Sequence, residues 1–237
     1  MRRTYSNAVM DDGLRIERTQ PIAPQIYAAL RQRIVDNRFP PGAVLSETVL
    51  AAQFDISRTP LRAAMQQLAA EGLIETRPQV GSVVAPLDLG RLEEAVLVRS
   101  ALEEAVVRKL AGRQPAPEEL SLNLEAQERL AARDDYAGFF REDEAFHERL
   151  AALAGLPNVW RLVQSVKGHV DRQRYRLMSG IPMRSQRAYQ DHCKILAHIQ
   201  SGNADAAAMA MRAHVESVLD LQPPSGAAEN GGPAADH

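Results

Sequence analysis

Hydrophobic residues recur at helical spacing along most of this chain. Ile22, Ile26, Leu30 and Ile34 fall every fourth position and predict a first amphipathic helix over 21–37. Phe39-Pro40-Pro41-Gly42 breaks it. Ser46 is placed to cap a short helix over 47–54. In the stretch 54–73, Leu61, Met65 and Leu68 share one stripe, while Arg58, Arg62 and Gln66 share another. Ser57 is expected to cap this helix through its hydroxyl, Pro60 suits the first turn, and Gly72 marks the stop. Two short strand candidates, 73–76 and 82–85, flank a loop containing Pro78 and Gly81. Three helices and a small hairpin follow the winged helix-turn-helix plan, in which the last helix enters the major groove.

Beyond a compact linker at Pro86-Leu87-Asp88 the pattern is helical throughout. Helices are expected near 89–112, 117–132, 135–154, 156–179, 184–201 and 204–221. The chain therefore divides into an arm (1–20), a DNA-binding domain (21–86), a helical bundle (87–221) and a Pro- and Gly-rich tail (222–237) expected to be disordered. The fold class is mainly α: a winged helix-turn-helix followed by an antiparallel helical bundle.

Charge adds a modest asymmetry. Residues 1–87 hold 10 Arg and 8 acidic residues, while the remainder holds 18 basic and 22 acidic residues. That division permits a local DNA-binding face without global basicity. A single cysteine, Cys193, rules out an internal disulfide framework and fits a reducing cytoplasm. No apolar run approaches the ~18 residues of a membrane span, and the N-terminus lacks a secretory signal's apolar segment.

The informative residues of the bundle are polar ones on apolar stripes. Asp143 and His147 interrupt the stripe Phe139, Phe146, Leu150. His192 accompanies Ile195, Leu196 and Ile199, and His214 accompanies Met211, Val218 and Leu221. His192 and His214 lie ten and twelve residues either side of Gly202. In an antiparallel hairpin both stand about 15 Å from the turn, at 1.5 Å rise per residue, and hence level. Three imidazoles and a carboxylate converging in an apolar setting point to a metal site, because their burial is costly unless something pairs them. A lone buried histidine is more often a hydrogen-bonded core residue, so the alignment carries the argument. His198 falls off the stripe and is expected at the surface; His169 borders one and is left unassigned. On the helix near 89–112, Arg99 and Glu103 also face inward. They form either an internal ion pair or, through Arg99, a fork for a ligand carboxylate.

The run PPGAVLSETVLAAQFDISRTPLRAAMQQLAAEGLIETRPQVGSVV resembles the winged-helix domain of the GntR family of bacterial transcription regulators. The match rests on S-R-T-P-L-R, E-G-L-I and the late glycine in order. The resemblance implies DNA contacts by Arg58 and Arg62, helped by Ser57 and Thr59, with Gly81 at the wing tip. Ala63 and Thr48 depart from the family pattern, which carries Glu at the first position in many relatives and a DNA-contacting Arg at the second in some. R-S-A-L-E at 99–103, D-E-A-F-H at 143–147, H-C-K-I-L at 192–196 and His214 are similar to the FCD ligand-sensing domain of the FadR subfamily. That resemblance implies a divalent metal (zinc, nickel or manganese) on Asp143, His147, His192 and His214, completed by a small organic acid. An acyl-CoA ligand is disfavoured. Six helices would place the chain nearer the VanR-like branch. Together these features predict a homodimeric regulator, a repressor reading a short DNA palindrome under control of a carboxylate metabolite. The competing class is a metal-dependent hydrolase-like enzyme using the same four residues, but no buried general base or nucleophile motif accompanies them.

Overall fold

The computed structural model describes residues 16–112, 118–178 and 183–220. The arm through residue 15, the tail, Pro115, Gly180, Pro182, Leu221 and His237 lie outside the described residues. The front of the chain forms α1 (Ile22–Val35), β1 (Val44–Leu45), α2 (Glu47–Gln53), α3 (Arg58–Ala70), β2 (Ile74–Arg77) and β3 (Gly81–Val84). Ile26, Leu30 and Ile34 of α1 and Leu61, Met65 and Leu68 of α3 are buried in one core, as their spacing requires. The β2–β3 hairpin pairs Arg77 with Gly81, and Gly81 takes a positive φ of 95° that suits a residue without Cβ. β1 adds a third strand, pairing Val44 with Val83 in the order β1-β3-β2. Two residues are too few to show alternation, so this strand left no periodic signal.

Ser46 caps α2 as expected, its Oγ accepting from the Val49 N–H at 3.4 Å. Ser57 does not cap α3 through its hydroxyl, although it occupies the N-cap position. A serine there accepts from the second or third helical N–H. The third helical residue is Pro60, which has none. Gly72 closes α3 with a φ of 71°.

After the linker come α4 (Leu89–Ala111), α5 (Glu118–Ala132), α6 (Tyr136–Leu153), α7 (Pro157–Val166), α8 (Gly168–Met178), α9 (Arg184–Gln200) and α10 (Ala204–Glu216). Seven helices, not six, thus follow the linker among the described residues. The single helix expected over 156–179 breaks at Lys167. Gly168 is a poor helix former, and a Cβ there would come within 2.8 Å of Leu73. The assignment to the VanR-like branch rested on six helices and loses that footing. α10 also ends earlier than expected, at Glu216. There Ser217 Oγ donates back to the His214 carbonyl, and Arg184 takes the Ser217 carbonyl.

Two hydrophobic cores result, one in the winged domain and one in the bundle. Polar contacts made by α8 join them. Arg31 of α1 reaches Asp171 Oδ2 at 2.7 Å. Arg172 donates to the carbonyls of Ala85 and Pro86, and His169 Nδ1 accepts from the Asp88 N–H. Lys167 is fully buried, with its ammonium 2.6 Å from Glu144 and 2.6–2.7 Å from both oxygens of Asp171. Lys167→Met should therefore deprive Glu144 of this ammonium, leave Asp171 with Arg31 alone, and destabilise the protein by about 3–5 kcal/mol. Arg31→Ala leaves Asp171 its lysine and should cost less, about 1–3 kcal/mol. Urea unfolding followed by circular dichroism ranks the two, and equal losses would contradict this account.

Candidate DNA-binding face and buried histidine cluster

The N-terminal turn of α3 stands on the surface. Ser57, Arg58, Thr59 and Arg62 are all exposed, as is Gly81 at the hairpin tip. Pro60 lacks an N–H and leaves the Ser57 hydroxyl uncommitted to the helix, beside a terminus whose partial positive charge attracts anions. Arg58 Nη2 donates to Thr48 Oγ1 at 3.2 Å, and Arg62 Nε pairs with Glu47 Oε2 at 2.8 Å. α2 thus props both guanidinium groups while their remaining N–H groups face solvent. At exposed sites such pairs are weak, so a phosphate or a base edge can compete for the arginines.

Inside the bundle, α6, α9 and α10 bring Asp143, His147, His192 and His214 together. One ligand atom from each lies within 4.8 Å of the others, and all four residues are buried. The i, i+4 spacing of Asp143 and His147 puts both on the inner face of α6. His192 Nε2 and His214 Nε2 are 3.1 Å apart, and His192 Nε2 is 3.7 Å from Asp143 Oδ1. Phe146 stacks on the His192 ring at 4.4 Å. His198, by contrast, is half-buried and outside the cluster, and His169 is at the domain junction.

The electrostatics of the site are set by partners that the stripe argument did not find. Arg174 of α8 grips Asp143 with two parallel bonds of 2.8 Å. Burial opposes the Asp143 charge, but Arg174 and His192 hold its carboxyl well below the usual range. Arg99 Nε donates to Glu103 Oε1 at 2.7 Å, and Glu103 Oε2 touches His147 Nδ1. Burial likewise opposes the Glu103 charge, and Arg99 and His147 lower its pKa. Burial holds the His192 and His214 imidazoles below their ordinary value, so both are neutral near pH 7. Neutral imidazole and ionised carboxylate are the forms that ligate metal.

Two nitrogens bound to one zinc at about 2.0–2.1 Å stand roughly 3.0–3.4 Å apart, and the observed 3.1 Å separation fits. His147 Nδ1 is taken by Glu103, but His147 Nε2 makes no hydrogen bond, and His214 Nδ1 has none either, with Asp191 3.9 Å away. A buried imidazole nitrogen without a partner is costly, and an ion in the cluster would satisfy His147 Nε2. Beside the cluster, a cleft is lined by Arg99, Arg174, Arg184, Arg187, Asp191 and His214. Arg99 is thus both an ion-pair partner of Glu103 and a wall of this cleft. Its Nη2 is buried and unpaired.

Residues 22–84 match the family of bacterial regulatory proteins named gntR, and residues 94–217 match the FCD domain. The chain is 32% identical to the HTH-type transcriptional repressor RspR of Escherichia coli over 85% of its own length and 89% of that protein's. It is 39% identical to an uncharacterized HTH-type transcriptional regulator in an unstable DNA locus of Streptomyces ambofaciens, over 82% of each. The crystal structure of a putative transcriptional regulator GntR from Rhodococcus shares the fold, with a TM-score of 0.71 at 23% identity over 84% of this chain and 98% of that one.

The neutral imidazoles make the metal-free bundle acid-sensitive. In the unfolded chain they take up protons below about pH 6.5, whereas burial of His192 and His214 resists protonation in the fold. Their contribution is complete above that pH and declines as pH falls. Asp143 and Glu103, held low in the fold, add a further loss below about pH 4. In chelator the melting temperature should fall between pH 7 and pH 5, and less steeply in a His192→Asn, His214→Asn variant. A flat wild-type profile would refute this.

Proposed function

The chain belongs to the GntR family of bacterial regulatory proteins and carries an FCD domain, so it is a DNA-binding transcriptional regulator; on that footing we propose a homodimeric, metal-containing repressor controlled by a small carboxylate metabolite. Two α3 helices read a palindrome in successive major grooves, a geometry that mirrors the symmetry of a two-fold dimer. Arg58 and Arg62 supply the charged contacts, Ser57 and Thr59 the hydroxyl contacts to the backbone, and Gly81 lets the wing approach the duplex. Repression is favoured because relatives of this chain, RspR among them, are named repressors.

Asp143, His147, His192 and His214 hold a divalent ion, with zinc the first candidate and nickel or manganese the alternatives. The single observation that carries this reading is the convergence of four buried donor atoms within 4.8 Å, with unpaired nitrogens among them. An ion held by these four residues would supply a Lewis acid for a carboxylate oxygen. Arg99, with its spare buried N–H, receives the acid from the cleft side, and Arg184 and Arg187 complete a cationic wall. The acid regulates DNA binding only so far as it prefers one arrangement of the bundle over another. Family membership names regulation, not catalysis, as the activity, so the hydrolase alternative is not retained.

Arg58→Ala and Arg62→Ala should each weaken binding to an operator fragment by about 1–3 kcal/mol, roughly 5- to 150-fold. Gel shifts with genomic fragments measure this, and wild-type affinity in both variants would exclude α3 as the reading helix. Metal analysis of the purified protein should find close to one ion per chain, lost in His147→Ala and His214→Ala. Unchanged metal content in those variants would remove the proposed site.

A further inference from the structure

A second group of buried polar side chains stands behind His192, on α5 and α6. Asn123 and Gln127 are buried amides four residues apart on α5, sharing the stripe of Leu120 and Leu124. The Asn123 amide nitrogen lies 2.6 Å from Glu142 Oε2 and 3.1 Å from the Glu142 carbonyl. The Gln127 amide nitrogen lies 2.8 Å from Asn123 Oδ1. Gln127 Oε1 lies 2.7 Å from His192 Nδ1. The chain runs from a half-exposed carboxylate to an imidazole in the centre of the cluster.

The direction of this chain is determined at its outer end. A carboxylate and a backbone carbonyl can only accept, so Asn123 must present its NH₂ to Glu142. Its oxygen then faces Gln127, which must answer with its own NH₂. That leaves Gln127 Oε1 facing His192, and only a protonated Nδ1 can complete the contact. Turning either amide over would set oxygen against oxygen or N–H against N–H between buried groups, where the mismatch is costly.

We infer that Gln127 is a positioning residue which, with its direction set by Asn123 and Glu142, locks His192 in the Nδ1–H tautomer and keeps the Nε2 lone pair aimed at the centre of the cluster. Histidine ligands are commonly held in this way by an acceptor on the other ring nitrogen. The consequence for ion binding rests on the metal site proposed above; the tautomer does not. In the metal-free protein the Nε2 lone pair of His192 accepts the one proton that the 3.1 Å contact with His214 Nε2 accommodates. For a cation to bind there, His214 would carry its proton at Nδ1, on the side of Asp191, instead of Nε2, whereas the His192 ring would need no change of tautomer.

The test uses the full-length protein with zinc as the probe. Imidazole nitrogen chemical shifts in the metal-free wild type should report His192 as Nδ1–H. Gln127→Leu removes the acceptor and should give a mixture of tautomers and about 10- to 100-fold weaker zinc binding in chelator competition. Gln127→Glu restores an oxygen to Nδ1–H, though it withdraws the N–H that Asn123 Oδ1 accepts, and should return both readouts part of the way toward wild type, which a loss of packing would not. Should the leucine variant not fold, Asn123→Ala frees the Gln127 amide to turn over and should mix the tautomers as well. Wild-type tautomer and zinc affinity in the variants would overturn the inference while leaving His147-dependent zinc binding intact. A tautomer lock that the variants abolish, in a wild type that takes up no zinc, would uphold the positioning role and sink the metal site instead.

Discussion

A charge removed from water must be met by an opposite charge or by hydrogen bonds, and this bundle meets its charges both within and between helices. Arg174 holds Asp143, Arg99 holds Glu103, and Lys167 with Arg31 holds Asp171. Each pair is buried or nearly so; Arg174–Asp143 and Arg31–Asp171 join separate helices, while Arg99–Glu103 and Lys167–Asp171 lie four residues apart in the chain. Replacing such pairs by apolar residues is often neutral or favourable for stability. Here they also keep carboxylates ionised at the centre of the molecule, where burial keeps His192 and His214 neutral. The chemistry of the cluster follows from that matching more than from the four converging side chains themselves.

α8 gives this arrangement its reach. Asp171, Arg172 and Arg174 are buried within four residues, yet they face different neighbours. Arg174 turns toward the histidine cluster. Asp171 and Arg172 turn toward α1 and toward the carbonyls that close the winged domain. One rigid element therefore touches both the site read here as a sensor and the domain that binds DNA. A ligand that favours one position of Arg174 over another acts on a helix already bonded to the head, the physical continuity that coupling between distant sites draws on.

The elements with a clean apolar period were legible from sequence alone. α1, α3, α6 and α9 lie where spacing places them, and the inward turn of Asp143, His147, His192 and His214 followed from the same count. What escaped had no period to betray it. β1 is two residues long. The break at Lys167 falls beside Gly168, which packs against Leu73 more than ninety positions away, a contact no local window contains. Arg174 sits in a run of polar residues that reads as solvated and is buried only because charges on other helices require it. Gln127 and Asn123 are different. They stand on the α5 stripe at the spacing that exposed Asp143 and His147, and the same question asked of them would have found the second rank of the site. The hydroxyl cap assigned to Ser57 failed for a reason also written in the sequence, the missing N–H of Pro60.

The close approach of Gly168 to Leu73 bears on how such proteins are recombined. Leu73 is fully buried at the foot of the winged domain, and its side chain occupies the space that a Cβ at position 168 would need. Head and bundle are thus fitted to each other as knob and socket, not merely tethered by the linker. A biosensor made by grafting a foreign DNA-reading head onto this bundle would have to carry over a side chain of leucine's shape at that point. Without it, the seam between the two halves would either gape or jam, however well each half folded alone.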